Sequence, residues 1–256
     1  MQQLNIEKRS NVPYKVEQFI NEKKVSDSVI TTMKRVEMKY ILNAEQLDYL
    51  QEALKGHMEV DQYGLTSIAS LYFDTPNHRL VRNSIEKPLF KEKIRLRSYG
   101  LAKENSKVYL ELKRKTEKIV YKRRITTTQL EVEDFLNDYL DYEGQIGKEL
   151  NFFRDQYKEL VPSFLIIYDR LAYYEPNGNL RLTIDQNPRY RVKDLNLSTS
   201  LEGNSLLPKG NAILEIKVQE AMPLWLVRIL NEGKIYQSSF SKVGEAYKRE
   251  MSLRKE

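Results

Sequence analysis

Charged residues recur two or four positions apart in five segments of the chain. Because side chains on a β-strand alternate between its two faces, residues at this spacing point to the same side of a strand. Arginine and lysine bind phosphate oxygens, and carboxylates hold hard cations such as Mg²⁺ or Mn²⁺. The pattern therefore indicates a phosphate site in which the carboxylates either neutralise some of the cations or hold a divalent metal. The residues concerned are Glu37 and Lys39, Arg95 and Arg97, Glu111 and Lys113, Arg181 and Asp185, and Glu215 and Lys217.

The segments that carry these pairs are predicted to be strands, because apolar residues alternate with the charged ones. Predicted strands begin near residue 32 and follow at residues 68–73, 90–99, 107–116, 118–126, 163–174, 180–185 and 212–219. Helices are predicted at residues 44–58, after a capping box at Thr128 and Glu131, at residues 145–160 and 223–231, and from about Lys242. The 189–211 stretch is predicted to be a loop.

This order of elements predicts an α+β protein with an antiparallel sheet, since no β-α-β rhythm is present. The chain contains neither GxGxxG nor GxxxxGK[ST], so a dinucleotide-binding fold and a P-loop are excluded. Any phosphate must then be bound by side chains. For a single strand, charges that simply face water on an open sheet remain the simpler interpretation.

Closing the sheet into a barrel is the alternative, with helices over the apolar face and the charges inside. Like charges about 4 Å apart at an effective dielectric of 20 repel by roughly 4 kcal/mol per pair. A bound polyanion would relieve that repulsion. The concentration of Arg, Lys and Glu on the polar faces, with few Ser, Thr or Gln, favours this interior site.

Composition limits the other classes of function. The 256 residues carry a net charge of +6 and contain no cysteine, which excludes disulfides, a thiolate nucleophile and cysteine-based zinc sites. No apolar run is long enough to cross a bilayer, and the N-terminus lacks the apolar core of a signal peptide. We therefore expect a soluble, cytoplasmic protein without direct membrane insertion. Nucleic acid is not expected as a partner, because no recognition motif is present.

Nine short motifs resemble, in order, the VTC domain, the polyphosphate polymerase branch of the CYTH-like triphosphate tunnel metalloenzymes. The resemblance covers about residues 32–250. It implies an N-terminal extension at residues 1–31 followed by a tunnel domain at residues 32–256. The motifs are Arg35-x-Glu37-x-Lys39-Tyr40, Ser70-Leu71-Tyr72-Phe73-Asp74, Ile94-Arg95-Leu96-Arg97, Glu111-Leu112-Lys113, Lys122-Arg123-Arg124, Tyr168-Asp169-Arg170, Leu180-Arg181-x-x-x-Asp185, Glu215-Ile216-Lys217 and Ser239-Phe240-Ser241-Lys242.

The resemblance implies a closed, eight-stranded antiparallel barrel, with helices packed outside and as plugs, in which ATP donates its terminal phosphate to a polyphosphate chain. Glu215 and Glu37 would hold Mn²⁺ or Mg²⁺. The catalytic residues would be Lys39, Arg95, Arg97, Lys113, Arg170, Arg181 and Lys242. Further phosphate contacts would come from Arg124, Tyr168, Lys217 and Ser241.

One departure from the family pattern bears on the reaction type. Tunnel triphosphatases usually begin with Glu-x-Glu-x-Lys, whereas Arg35 stands at the first glutamate here. Fewer carboxylates favour one metal over two, and hence transfer over hydrolysis by a metal-activated water. Hydrolysis of triphosphate or nucleoside triphosphate, and polyphosphate binding without catalysis, stay open as alternatives. Eukaryotic polymerases of this family also carry transmembrane helices and a long regulatory domain, and neither is expected in this sequence. Coupling of synthesis to transport across a membrane would therefore depend on a separate membrane chain.

Overall fold

The computed structural model describes residues 36–253, except residues 87, 104, 117–118 and 220. The expected extension at residues 1–31 and Arg35 therefore lie outside the described residues. The strands are β1 (Val36–Leu42), β2 (Glu59–Val60), β3 (Thr66–Asp74), β4 (Phe90–Tyr99), β5 (Val108–Thr116), β6 (Ile119–Thr127), β7 (Val161–Tyr174), β8 (Arg181–Arg191), β9 (Asn204–Ser205), β10 (Ala212–Val218) and β11 (Gln237–Ser238). The helices are α1 (Ala44–Ala53), α2 (Arg79–Ile85), α3 (Gln129–Leu136), α4 (Gly144–Tyr157), α5 (Leu224–Glu232) and α6 (Lys242–Leu253).

The strands form one antiparallel, 11-stranded sheet, which confirms the α+β class. Its order is β11-β1-β10-β8-β7-β3-β4-β5-β6, with β2 beside β7 and β9 beside β8. Within the described residues no backbone pairing joins β6 to the β11 and β1 edge. The expected closed, eight-stranded barrel is therefore not confirmed, because the sheet has more strands and hydrogen bonds do not close it.

Helices cover the apolar face of the sheet in two places. Leu182, Leu214 and Ile216 of the sheet pack with Leu50 of α1 and Leu226 of α5. On the other half, the apolar residues of β3, β4 and β5 pack with α3 and α4. At about 25 cal/mol per Å² of apolar area removed from water, burial on this face stabilises both halves. The alternation along each strand then leaves the charged side chains on the opposite face.

Two helices pack against that opposite face. Val81 of α2 and Val243 of α6 lie in one cluster with Phe164, Ile166 and Tyr168 of β7. These β7 residues share their face with Arg170 because the spacing is two. The two helices therefore cover part of the charged side of the sheet.

The predicted ends of several elements were wrong, and prolines explain two of the errors. The strand predicted at residues 180–185 runs on to Arg191 as β8, so the predicted 189–211 loop is shorter. Pro188 lies beside a register shift between β7 and β8. The strand predicted at residues 163–174 begins earlier, at Val161, and Pro162 lies inside it beside a second register shift, between β3 and β7. Proline is tolerated at such bulges, which need no ladder hydrogen bond from it.

Helix α2 was missed because seven residues give too little periodicity. It is held by Asp74, which accepts hydrogen bonds from the backbone N–H groups of Leu80 at 2.8 Å and Val81 at 2.9 Å. The capping box at Thr128 and Glu131 is confirmed at the start of α3. No helix among the described residues is both long and apolar enough to span a bilayer.

Candidate functional site

Strand register brings the charged residues of neighbouring strands together. Lys39 of β1 stands opposite Glu215 of β10, and Glu37 stands opposite Lys217. On the other half of the sheet, Arg95 of β4 stands opposite Glu111 of β5. Directly opposed side chains lie about 5 Å apart at Cβ, within reach of an ion pair. The register thus converts the alternation in the sequence into clusters of opposite charge.

Glu111 is the centre of the first cluster. Its side chain is 2% exposed. Arg95 donates through Nε at 2.8 Å, Arg124 through Nε at 2.7 Å, and the Lys122 ammonium lies at 3.0 Å. Arg97 is farther away, with Nε 3.7 Å from Oε2. Burial raises the pKa of Glu111, but Arg95, Arg97 and Lys122 outweigh it and hold the pKa well below its ordinary value. The carboxylate is therefore ionised and orients the surrounding cations.

Asp185 organises a second cluster. Arg170 donates to its two oxygens at 2.6 and 2.8 Å in a bidentate pair, and Lys242 of α6 donates to Oδ2 at 2.5 Å. Burial opposes ionisation, yet the Lys242 and Arg170 charges hold the pKa of Asp185 far below its ordinary value. Tyr168 lies against both cations, with Arg170 Cζ 5.1 Å and Lys242 Nζ 4.4 Å from the ring centroid. Helix α6 thus brings a cation to the strand cluster.

Glu215 and Glu37 form the third cluster with two lysines. Lys217 Nζ lies 2.5 Å from one Glu215 oxygen, and Lys39 Nζ lies 3.6 Å from the other. Glu37 also contacts Lys39, at 3.3 Å. Burial raises the pKa of Glu215, but Lys217 and Lys39 prevail and lower it to about 2. Both carboxylates therefore converge on a single ammonium group.

The three clusters act on one another electrostatically. The charge of Lys39 helps to lower the pKa of Lys93 on β4, and Glu215 helps to raise the pKa of Arg170. Tyr168 likewise contributes to the raised pKa of Arg95. Helix α6 also links two of these strands directly, because Ser241 contacts Lys93 of β4 and Lys242 contacts Asp185 of β8.

Three expected site residues lie around the clusters. Lys113 stands opposite both Lys93 and Lys122, so three lysines face one another across neighbouring strands. Arg181 is exposed, with Cζ 5.3 Å from the Tyr174 ring centroid. Ser241, at the start of α6, accepts a hydrogen bond from Lys93 at 3.3 Å. The structure thus places all the expected site residues on or beside one charged surface.

A divalent metal fits this surface only when a bound phosphate supplies some of its coordinating oxygens. No group of three or more His, Cys, Asp or Glu residues within the described chain could hold a metal ion. Glu37 and Glu215 already share a cation, the Lys39 ammonium. Mg²⁺ is commonly held by one or two carboxylates together with substrate phosphates. The donor set therefore suits a metal that arrives with phosphate and does not suit a metal held by protein alone.

The sequence reasoning did not assign roles to several residues of this surface. Lys93 precedes Arg95 and Arg97 at the same two-residue spacing, and that alternation could have identified it. Lys122 stands two residues before Arg124 in the same way. Tyr72 lies within a recognised motif, but nothing local distinguishes it from a core tyrosine. Its contact with Arg95, at 2.9 Å, depends on strand pairing.

The sequence profile of the VTC domain matches residues 34–250 of the chain. Among solved structures, a candidate adenylate cyclase from Bacillus halodurans has 15% sequence identity and a TM-score of 0.52, over 81% of this chain and 95% of that one. A candidate adenylyl cyclase from Hippeastrum, described as having a dominant triphosphatase activity, has 18% identity and a TM-score of 0.53, over 82% and 93%. These two structures show a shared fold. No curated protein matches the chain.

Proposed function

Because the chain belongs to the VTC domain family, we propose that it is an ATP-dependent polyphosphate polymerase. In this proposal the terminal phosphate of ATP is transferred to the end of a polyphosphate chain. The observation that carries it is the excess of cations over carboxylates on one face of the sheet. Glu111, Asp185 and Glu215 are already paired with basic side chains, so the remaining positive charge favours an anionic ligand.

The cations differ in what they would do. Arg95 and Arg97, on β4, would bind phosphate oxygens through planar guanidinium groups that Glu111 orients. Arg170 and Lys242 are held by Asp185 and would bind a neighbouring phosphate, with Tyr168 beneath them. Such preorganised charge lowers the barrier to phosphoryl transfer by positioning and by neutralising two anions that must meet. Lys113, Arg124, Arg181, Lys217 and Ser241 would add further phosphate contacts.

Mn²⁺ or Mg²⁺ would be held by Glu215 and Glu37 and would supply charge neutralisation between phosphate groups. Lys39 contacts both carboxylates and would move toward phosphate when they take a metal. The few carboxylates favour transfer over hydrolysis, because the described residues contain no group of three or more His, Cys, Asp or Glu that could hold a second, water-holding metal. Triphosphate hydrolysis is the second candidate, since the Hippeastrum protein of similar fold is described as a triphosphatase. Polyphosphate binding without catalysis is the third.

The same proposal sets the cellular context. We expect a cytoplasmic protein with ATP and polyphosphate as its partners, and with no nucleic acid. Residues 32–256 would form the catalytic domain, and the extension at residues 1–31 would precede it. A separate membrane chain is a further proposed partner.

The test is to incubate the purified chain with ATP and Mn²⁺ and to separate polyphosphate from orthophosphate over time. The polymerase should produce long polyphosphate. A matched Glu215→Gln variant should lose metal-dependent turnover while it still binds triphosphate, since one negative charge has left a cationic site. Quantitative release of orthophosphate with no polymer at any time would establish the hydrolase instead. Binding without either product would leave the non-catalytic module.

A further inference from the structure

Tyr72 lies on β3 among cations of the charged surface and has no role in the function described above. Arg95 links it to the Glu111 cluster, because Nη1 donates to the Tyr72 oxygen at 2.9 Å while Nε donates to Glu111 at 2.8 Å. The Arg95 guanidinium carbon also lies 5.8 Å from the Tyr72 ring centroid. Within the described chain no carboxylate accepts a hydrogen bond from the Tyr72 hydroxyl. The phenol oxygen therefore faces positive charge without an anionic partner of its own.

The titratable and charged groups around Tyr72 come from several elements. They are Lys93, Arg95 and Arg97 on β4, Lys39 on β1, Glu111 on β5 beyond Arg95, and Asp74 on β3 itself, with His78 beside Ser163 of β7. Asp74 is occupied by the backbone N–H groups at the start of α2. Helices α2 and α6 contribute apolar side chains to the small cavity beside Tyr72 and Lys93.

These surroundings favour the ionised phenol when the site holds no anion. Burial raises the pKa of Tyr72, but Arg95, Lys93 and Arg97 outweigh burial and lower the pKa to about 7. A phosphate chain bound to the same cations would reverse the balance, because its negative charge repels a phenolate. Protonation of Tyr72 and phosphate binding are then linked.

We propose that Tyr72 is a proton-accepting residue of the phosphate site, which takes up a proton from solvent when a phosphate chain binds. The step forms one O–H bond at the phenol oxygen and breaks no bond of the ligand. This inference rests on the proposed binding of phosphate by the Arg95 cluster. Before phosphate binds, the Tyr72 phenolate neutralises part of the positive charge of the cluster. Arg95 and Lys93 therefore stay in place without a ligand.

The test uses the full chain, sodium tripolyphosphate and EDTA, so that no metal takes part. At pH 8 the wild type should lose the near-ultraviolet absorbance of one tyrosinate when tripolyphosphate is added. Tyr72→Phe should show no such loss, whereas Tyr63→Phe, at an exposed tyrosine, should behave as the wild type. Calorimetry gives the affinity in the same samples. Above pH 7 the wild-type Kd should rise by about tenfold per pH unit relative to that of Tyr72→Phe.

Lys93→Arg controls for the nearby lysine, whose pKa is lowered to about 8 by burial and by Lys91, Lys39 and Lys113, although Tyr72 raises it. The pH dependence should persist in Lys93→Arg and vanish in Tyr72→Phe. Persistence in Tyr72→Phe would overturn the inference. Tripolyphosphate binding without an absorbance change would overturn it as well and leave the proposed phosphate site intact. An absence of binding would overturn both.

Discussion

Individual carboxylates determine where the cations of this protein lie. Glu111, Asp185 and Glu215 are each shared by two or more basic side chains, and each has a lowered pKa. Shared carboxylates fix guanidinium and ammonium groups before a ligand binds, which reduces the entropy lost on binding. At the scale of single residues, the carboxylates therefore prepare the site, and the basic side chains they orient would contact phosphate.

Glu111→Gln should destabilise the protein without phosphate, because Arg95, Arg97 and Arg124 would lose their common partner. Removal of one side of a buried pair costs roughly 3–5 kcal/mol. Urea unfolding measures this loss, and added tripolyphosphate should restore part of it. Glu149→Gln is the matched control, since Glu149 pairs with Arg123 at 2.8 Å in a second cross-element pair. Glu149→Gln should lower the free energy of unfolding by less than Glu111→Gln does, and added tripolyphosphate should restore none of that loss. An equal response of both variants would contradict this role of Glu111.

Glu215 should make the free energy of unfolding depend on pH in the acidic range. Its folded pKa, about 2, lies below the ordinary value of 4.5, so its stabilising contribution is complete above about pH 4.5. It should be lost as the pH falls from 4.5 toward 2. Unfolding free energies across this range should decline less steeply in Glu215→Gln than in the wild type. Identical slopes would show that Glu215 has no such shift.

At the scale of elements, strands could be predicted from the sequence better than their pairing. Alternation is local, so β4 was predicted with its observed bounds at residues 90–99. Pro188 concealed the second half of β8, because the bulge that accommodates it is formed with β7. The contact between Tyr72 and Arg95 could not be predicted for a similar reason, since it depends on which strands are neighbours. The alternating charged pairs were predicted because their spacing is local, and the other expected site residues came from the resemblance to the VTC domain, whereas the grouping around Glu111 and Asp185 required the fold.

Strands β4, β5 and β6 each carry one lysine of a row in which neighbouring like charges repel. Lys93 and Lys113 are directly opposed, and Lys113 is also opposed to Lys122. Like charges in this position destabilise a sheet. Lys113→Gln should therefore raise the free energy of unfolding by about 0.2–1 kcal/mol and weaken tripolyphosphate binding. Lys103→Gln, at an exposed loop lysine, should change neither quantity. A less stable Lys113→Gln variant would refute the repulsion.

At the scale of the whole molecule, anion binding should stabilise the fold. The chain has a net charge of +6, and Arg95, Arg97 and Arg170 lie on one face of the sheet with Lys242 of α6 beside them. Tripolyphosphate at about 100 times its Kd should add roughly 2.7 kcal/mol, seen as a higher Tm. Arg95→Ala or Arg97→Ala should weaken binding by roughly 1.5–3 kcal/mol, the range for charge-assisted hydrogen bonds. Sulfate at equal ionic strength is the control, because simple screening would raise the Tm equally.

For the proposed polymerase, the unpaired edges β6 and β11 bear on how a long product would leave. Within the described residues no backbone ladder joins β6 to β11, so the sheet is open there and no strand pair has to separate. A polymer could then detach laterally, without sliding its whole length past the arginines. With such an open sheet, synthesis by the proposed polymerase would be distributive, with each chain released after few additions. Polymer length would then follow the ratio of ATP to chain ends in solution.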